Sequence, residues 1–171
     1  MEIILILHDI RSIYNVGSIF RTAAGFGVRK LYLSGYTPSP DNGLPHVRKK
    51  ISDSLHKTAL GAEKMVVSEY AYDITKLIKG LRKSGFKIIG LEQDPRAIKL
   101  PDLHKGRTLT QNQKVALILG EEVHGITHEL RDTCDELIEI PMSGQKESFN
   151  VSVATGIALY ELTLPLYSRH R

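Results

Sequence analysis

The sequence predicts an α/β fold, a parallel-sheet, doubly wound domain. Three observations carry this. Short apolar, β-branched runs alternate with helical stretches along the whole chain. The runs Ile-Ile-Leu-Ile-Leu and Val-Ala-Leu-Ile-Leu lack the polar alternation of a half-solvated strand, so they suit strands covered on both faces. The 171 residues, 42% hydrophobic and 25% charged, are enough for one domain with a full core, spanning 1–171.

In chain order, strands are expected at Glu2–His8, Lys30–Ser34, Lys64–Ser68, Lys87–Leu91, Val115–Leu119 and Glu136–Ile140. The first helix is expected over Gly17–Gly25, with Asn15 as its cap and Ile19, Phe20 and Ala23 as its buried stripe. A second is expected over Leu55–Glu63, after Ser52 and Ser54. Asp73–Ser84 carries Ile74, Leu77, Ile78 and Leu81 at helical spacing and stops at Gly85. Thr127–Thr133 is a short helix, and Ser148–Leu164 the longest. Thr37–Lys57, with Pro38, Pro40, Pro45 and the basic run Arg48, Lys49 and Lys50, reads as a long polar loop. So does Gln93–Lys114, with Arg96, Lys99, Lys105 and Arg107. Two such loops make an RNA-facing rim plausible.

Composition excludes more than it selects. With one cysteine, Cys134, no intramolecular disulfide or cysteine zinc cluster forms, which fits a cytoplasmic setting. The apolar runs are too short to span a bilayer, and the start of the chain shows no basic leader. The net charge of +4 permits a polyanionic partner without demanding one. Tryptophan is absent and aromatics are 6%, which disfavours a protein that reads single strands mainly by base stacking. The glycine loops of dinucleotide and nucleoside triphosphate sites are missing, as is a hydrolase elbow. His124 and His128 are four apart but lack a third ligand, so no metal is expected.

Three clusters carry chemistry. In Asn15-Val-Gly-Ser-Ile-Phe-Arg21-Thr22, Gly17 allows close backbone approach, and Ser18 and Arg21 share a helical face. A cation near a helix start opposes the helix dipole, which hints that Arg21 grips a phosphate. In Leu117-Ile-Leu-Gly120-Glu121-Glu122-Val-His-Gly125, a buried strand ends in a glycine-flanked turn, where ligands sit in open α/β sheets. Adjacent carboxylates repel, so at least one needs a partner. In Ile140-Pro-Met142-Ser-Gly144-Gln-Lys-Glu-Ser148-Phe149-Asn150-Val151-Ser152, three hydrogen-bonding side chains gather where one helix cap would suffice.

In this order the clusters resemble the SpoU/TrmH family of RNA ribose methyltransferases, part of the SPOUT superfamily. The matches are Asn15, Gly17, Ser18 and Arg21; Gly120, Glu122 and Gly125; and Ile140, Pro141, Met142, Gly144, Ser148, Asn150, Val151 and Ser152. Phe149 stands where leucine is usual. The resemblance covers about Ile4 to Leu162. It implies a C-terminal trefoil knot, which no general topology rule would suggest. It also implies a homodimer, S-adenosylmethionine as cofactor, and 2′-O-ribose methylation of tRNA or rRNA. With no further domain in the sequence, RNA recognition would fall to loops and the dimer. On the resemblance, Leu91, Glu92, Leu119, Gly120, Ile140, Met142, Gly144, Ser148, Asn150 and Val151 hold the cofactor. Arg21, Asn15, Glu122, Ser148 and Asn150 form the catalytic set, with Glu122 fixing Arg21 or bonding substrate. Ser18, Arg21, Arg48, Lys49 and Lys50 face RNA. The alternative is a SPOUT-fold RNA-binding protein that no longer methylates.

Overall fold

A computed structural model describes residues 1–40, 44–103 and 112–167, the last three through their backbone only. Lys105 and Arg107 of the second polar segment lie outside the described residues.

Among the described residues, seven strands form one parallel sheet: β1 (Glu2–His8), β2 (Lys30–Ser34), β3 (Val67–Ala71), β4 (Phe86–Leu91), β5 (Ile98–Lys99), β6 (Lys114–Leu119) and β7 (Glu136–Glu139). Their order across the sheet is β3-β2-β1-β6-β4-β7-β5. The two unalternating runs, β1 and β6, lie side by side at the centre, in register from Glu2 opposite Lys114 to Leu7 opposite Leu119. Burial on both faces explains the pattern: Ile3, Leu5 and Leu7 enter one core, Ile4 and Ile6 the other.

The described α-helices that cover the sheet are α1 (Ile13–Gly25), α2 (Pro45–Ala59), α3 (Ile74–Lys83), α4 (His128–Arg131) and α5 (Val151–Tyr167). α1, α2 and α5 supply the first core, with Phe20, Leu55 and Leu162 fully buried. α3 and α4 close the second, through Ile78, Leu81 and Leu130. Gly17 sits where α1 meets α2, and a Cβ there would collide with the Thr58 hydroxyl and the Leu55 carbonyl.

The structure moves several expected boundaries. α1 starts one turn early, because Ser12 rather than Asn15 is its cap: the Ser12 hydroxyl accepts from the Asn15 amide. The Thr37–Lys57 segment is not all loop, since α2 begins at Pro45 and carries Arg48, Lys49 and Lys50 on its first turns. Pro45 is a helix-starting residue here, its fixed φ suiting the first position and its missing N–H costing nothing. α2 shows little apolar stripe because only Leu55 and Ala59 are buried along it. A single 3₁₀ turn at Ala62–Lys64 displaces β3 to Val67–Ala71. The second polar segment contributes β5 and a 3₁₀ turn at Leu100–Asp102. No helix among the described residues is long and apolar enough to cross a membrane.

Candidate active site

The carboxyl ends of β6, β4 and β7 open onto a cavity of about 200 Å³. Leu91, Leu119, Ile140, Met142 and Val151 give it apolar walls, and Ser148 and Phe149 line it from the segment before α5. Its polar lining is acidic: Glu92, Glu121, Glu122 and Glu139. Such a lining repels phosphates and suits a cationic, partly apolar ligand.

Two glycines shape the turn after β6. A Cβ on Gly120 would run into the backbone of Gly125. Gly125 has φ +65, and a Cβ there would overlap the Glu92 carboxylate. Glu92 in turn accepts from the amides of Ile126, at 2.6 Å, and Gln93, at 3.0 Å, which ties the end of β4 to this turn. Gln93 reaches across the cavity and donates to the Glu147 carbonyl.

Glu122 joins the three clusters. Its Oε1 accepts from Asn15 Nδ2 at 2.9 Å and from the Ser12 amide at 3.2 Å. Its Oε2 accepts from the Arg11 amide at 3.2 Å. Burial works against the charge, yet the bonds from Asn15, Arg11 and Ser12 outweigh it and hold the carboxyl below its ordinary value. Asn15 passes the connection on: its Oδ1 accepts from Asn150 Nδ2 at 3.1 Å. Asn150 Oδ1 accepts from the Ser152 amide and hydroxyl, capping α5. One polar chain therefore runs Glu122–Asn15–Asn150–Ser152 over residues far apart in sequence.

Other expected residues fall elsewhere. Arg21 is exposed on the third turn of α1 and has no hydrogen bond or ion pair among the described residues. Glu122 therefore does not fix Arg21; the turn before α1 takes up its oxygens first. Ser18 lies between Asn15 and Arg21 on α1, half-buried. Arg48, Lys49 and Lys50 are exposed on α2, away from the cavity lining. Gly144 does not line the cavity, and a Cβ on it meets open space. Asn150 is likewise outside the lining, engaged with Asn15 instead. His124 and His128 pair with Glu121 and Asp132, and the described residues hold no metal-binding cluster.

The family model described as "SpoU rRNA Methylase family" matches residues 2–160. The chain belongs to the SpoU rRNA methylase family. Among curated relatives, a 23S rRNA (guanosine-2′-O-)-methyltransferase RlmB from Nitrosomonas europaea is 32% identical over 159 residues, 93% of this chain and 55% of that protein. An uncharacterized tRNA/rRNA methyltransferase from Borreliella burgdorferi is also 32% identical, over 93% of this chain and 62% of that one. The chain thus spans little more than half the length of the RlmB proteins it matches. Among solved structures, an AdoMet-bound rRNA methyltransferase from Sinorhizobium meliloti superposes with a TM-score of 0.80 at 25% identity, covering 96% of this chain and 57% of that one.

Several residues around this cavity carry no signal in the sequence. Ser12 and Arg11 offer main-chain amides, which carry no side-chain signal. Gln93, Val123 and Ala154 reach the cavity only through tertiary packing. Glu121 could have been paired in advance, since its neighbour Glu122 forces one of the two to find a cation. That cation is Arg11, at 3.3 Å.

Proposed function

We propose that this chain is an S-adenosylmethionine-dependent methyltransferase acting on the ribose 2′-hydroxyl of tRNA or rRNA. The observation that carries it is the cavity with acidic and apolar lining, bordered by the Glu122–Asn15–Asn150 chain. Leu91, Leu119, Ile140, Met142 and Val151 would enclose the cofactor's adenine, and the bare backbone at Gly120 would approach it closely. The glutamates suit its cationic end. When bound, S-adenosylmethionine supplies an electrophilic methyl group on a sulfonium, already a good leaving group.

The chain's own task is then to position the ribose hydroxyl and stabilise its developing charge. Arg21 does the second: its planar fork of donors holds the neighbouring phosphate and the nascent alkoxide. Asn15, held from both sides, orients the ribose. Ser148, at the cavity lining, hydrogen-bonds cofactor or RNA backbone. Ser18 on α1 and the basic residues Arg48, Lys49 and Lys50 of α2 meet RNA phosphates.

The reading includes a trefoil knot at the C-terminal segment and a cytoplasmic homodimer. The strand order supports the knot, since β4 lies between two strands that follow it, β6 and β7. Val153, Ile157 and Tyr160 support the dimer: all are exposed, at helical spacing along one side of α5. Leu159 is buried within the protomer and takes no part. Methyl transfer from labelled S-adenosylmethionine to bulk RNA of a strain lacking the protein tests the activity. Activity that sediments with a monomer would remove the dimer from this reading.

A further inference from the structure

Tyr36 and Tyr72 are the most conspicuous side chains that the site leaves unused. They are 76% and 84% exposed, far beyond what a large ring gains by solvation, and neither belongs to the cavity lining. Both follow the carboxyl ends of strands, Tyr72 directly after β3 and Tyr36 two residues after β2. They stand on the same edge of the sheet as the cavity mouth after β6.

An unbroken series of contacts joins them to it. Tyr72 stacks edge-to-face on Tyr70, with ring centroids 4.8 Å apart. The Tyr70 hydroxyl donates to the Gly35 carbonyl at 2.5 Å, and the next residue is Tyr36. The Tyr36 amide donates to Asp9 Oδ1 at 2.8 Å. Asp9 takes a left-handed conformation, φ 59, unusual for a residue with a side chain and sustained only where surrounding contacts hold it. The Arg11 guanidinium lies 5.8 Å from the Tyr36 ring centre and 3.3 Å from Glu121, which lines the cavity. The two rings are therefore braced from below and open above.

The spacing suits a nucleic acid strand. Parallel strands lie about 4.8 Å apart, so β2 and β3 stand about 10 and 14 Å from β6 across the edge. That is the reach of one to three unstacked nucleotides. The last turn of α2 packs on the first turns of α1, where the Thr58 hydroxyl donates to the Tyr14 carbonyl, and Lys49 and Lys50 are exposed on the first turns of α2. Asp9, Glu69 and Asp73 also stand near, so phosphates alone would not be drawn to the rings; a stacked base would.

Resting on the RNA-methylation reading, we propose that Tyr36 and Tyr72 form a stacking platform for single-stranded nucleotides flanking the methylated position, with Arg11 linking platform to cavity. The low aromatic content argues against stacking as the main source of affinity. It does not argue against two rings set where the substrate strand must leave the site.

The test uses the full chain and a labelled random-sequence oligoribonucleotide. With seven tyrosines and no tryptophan, tyrosine emission can be followed directly as a second signal. The double variant Tyr36→Ala/Tyr72→Ala is expected to bind RNA at least 5- to 150-fold more weakly, the range for losing one base stack. Tyr36→Phe/Tyr72→Phe should stay within about twofold of the parent, because it keeps the rings. Quenching of tyrosine emission by RNA should shrink in the Ala variant. Ala-variant affinity equal to the parent's, or no binding of single-stranded RNA by the parent, overturns the platform. A parent that binds RNA through these rings yet transfers no methyl group, or does not bind S-adenosylmethionine, overturns the methylation reading instead.

Discussion

The first and third turns of α1 carry the two polar residues on which the proposed chemistry rests, and they are built in opposite ways. Asn15 is held at both ends of its amide, donating to Glu122 and accepting from Asn150. Arg21, two turns on, is exposed and has no partner among the described residues. A side chain fixed by neighbours has already lost its conformational freedom and can orient a substrate at little further cost. A cation left in solvent retains its freedom and charge for an incoming phosphate. On the proposed chemistry, orientation and charge stabilisation are separated along one helix.

The largest expected effect concerns the wall behind the fixed end. Gly120→Ala should abolish binding of S-adenosylmethionine, because the new methyl group collides with the Gly125 backbone. Gly144→Ala should bind like the parent, since its Cβ meets open space. Calorimetric titration of the two variants checks this, and equal affinities would put the cofactor elsewhere.

Arg21→Ala should cut turnover by about 10²–10³-fold while leaving cofactor affinity unchanged. Its stability should stay within about 0.5 kcal/mol of the parent's, as for exposed positions free of structural bonds. Arg21→Lys should recover part of the rate and remain slower at every pH. A Lys variant as fast as the parent near pH 10 would make residue 21 a base and break the assignment of charge stabilisation.

Glu122→Gln should show the reverse balance, losing about 1 kcal/mol of stability as well as activity, because three partly solvated donors lose a charged acceptor. The sign with pH follows from the lowered carboxyl pKa in the folded state. Such a group contributes its stabilisation above the unfolded value and loses it as pH falls through the folded one. Denaturant melts of parent and variant should therefore differ most near neutrality and converge below about pH 4.5, the ordinary glutamate value. A constant gap down to acid would show that the charge does not matter.

The smallest effect is expected at Asn150→Ala, about 1 kcal/mol from the lost cap of α5. A rate loss beyond this, with cofactor affinity preserved, would show that Asn15 must be held from both sides.

Much of this was legible in the residues. The unalternating runs of β1 and β6 announce central strands because burial on both faces removes the need for polar positions. The adjacent Glu121 and Glu122 announce that partners are needed, since like charges side by side are costly. α2 was not legible: it buries only Leu55 and Ala59 and opens on a proline, so its periodicity is too weak to stand out against its charge. Nor was the true cap of α1, because Ser12 and Asn15 are both good capping residues and only the position of Glu122 decides between them.

The sequence by itself determined the fold class, the family and the identity of the polar residues, because hydrophobic periodicity and residue chemistry are local properties. Only the tertiary structure decided which of those residues meet. Glu122 reaches Asn15 across 107 positions, and Asn150 reaches it across 135. Such pairings depend on which strands become neighbours in the sheet, and no spacing along the chain encodes that order. The same holds for Tyr36 and Tyr72, which share an edge because β2 and β3 lie side by side.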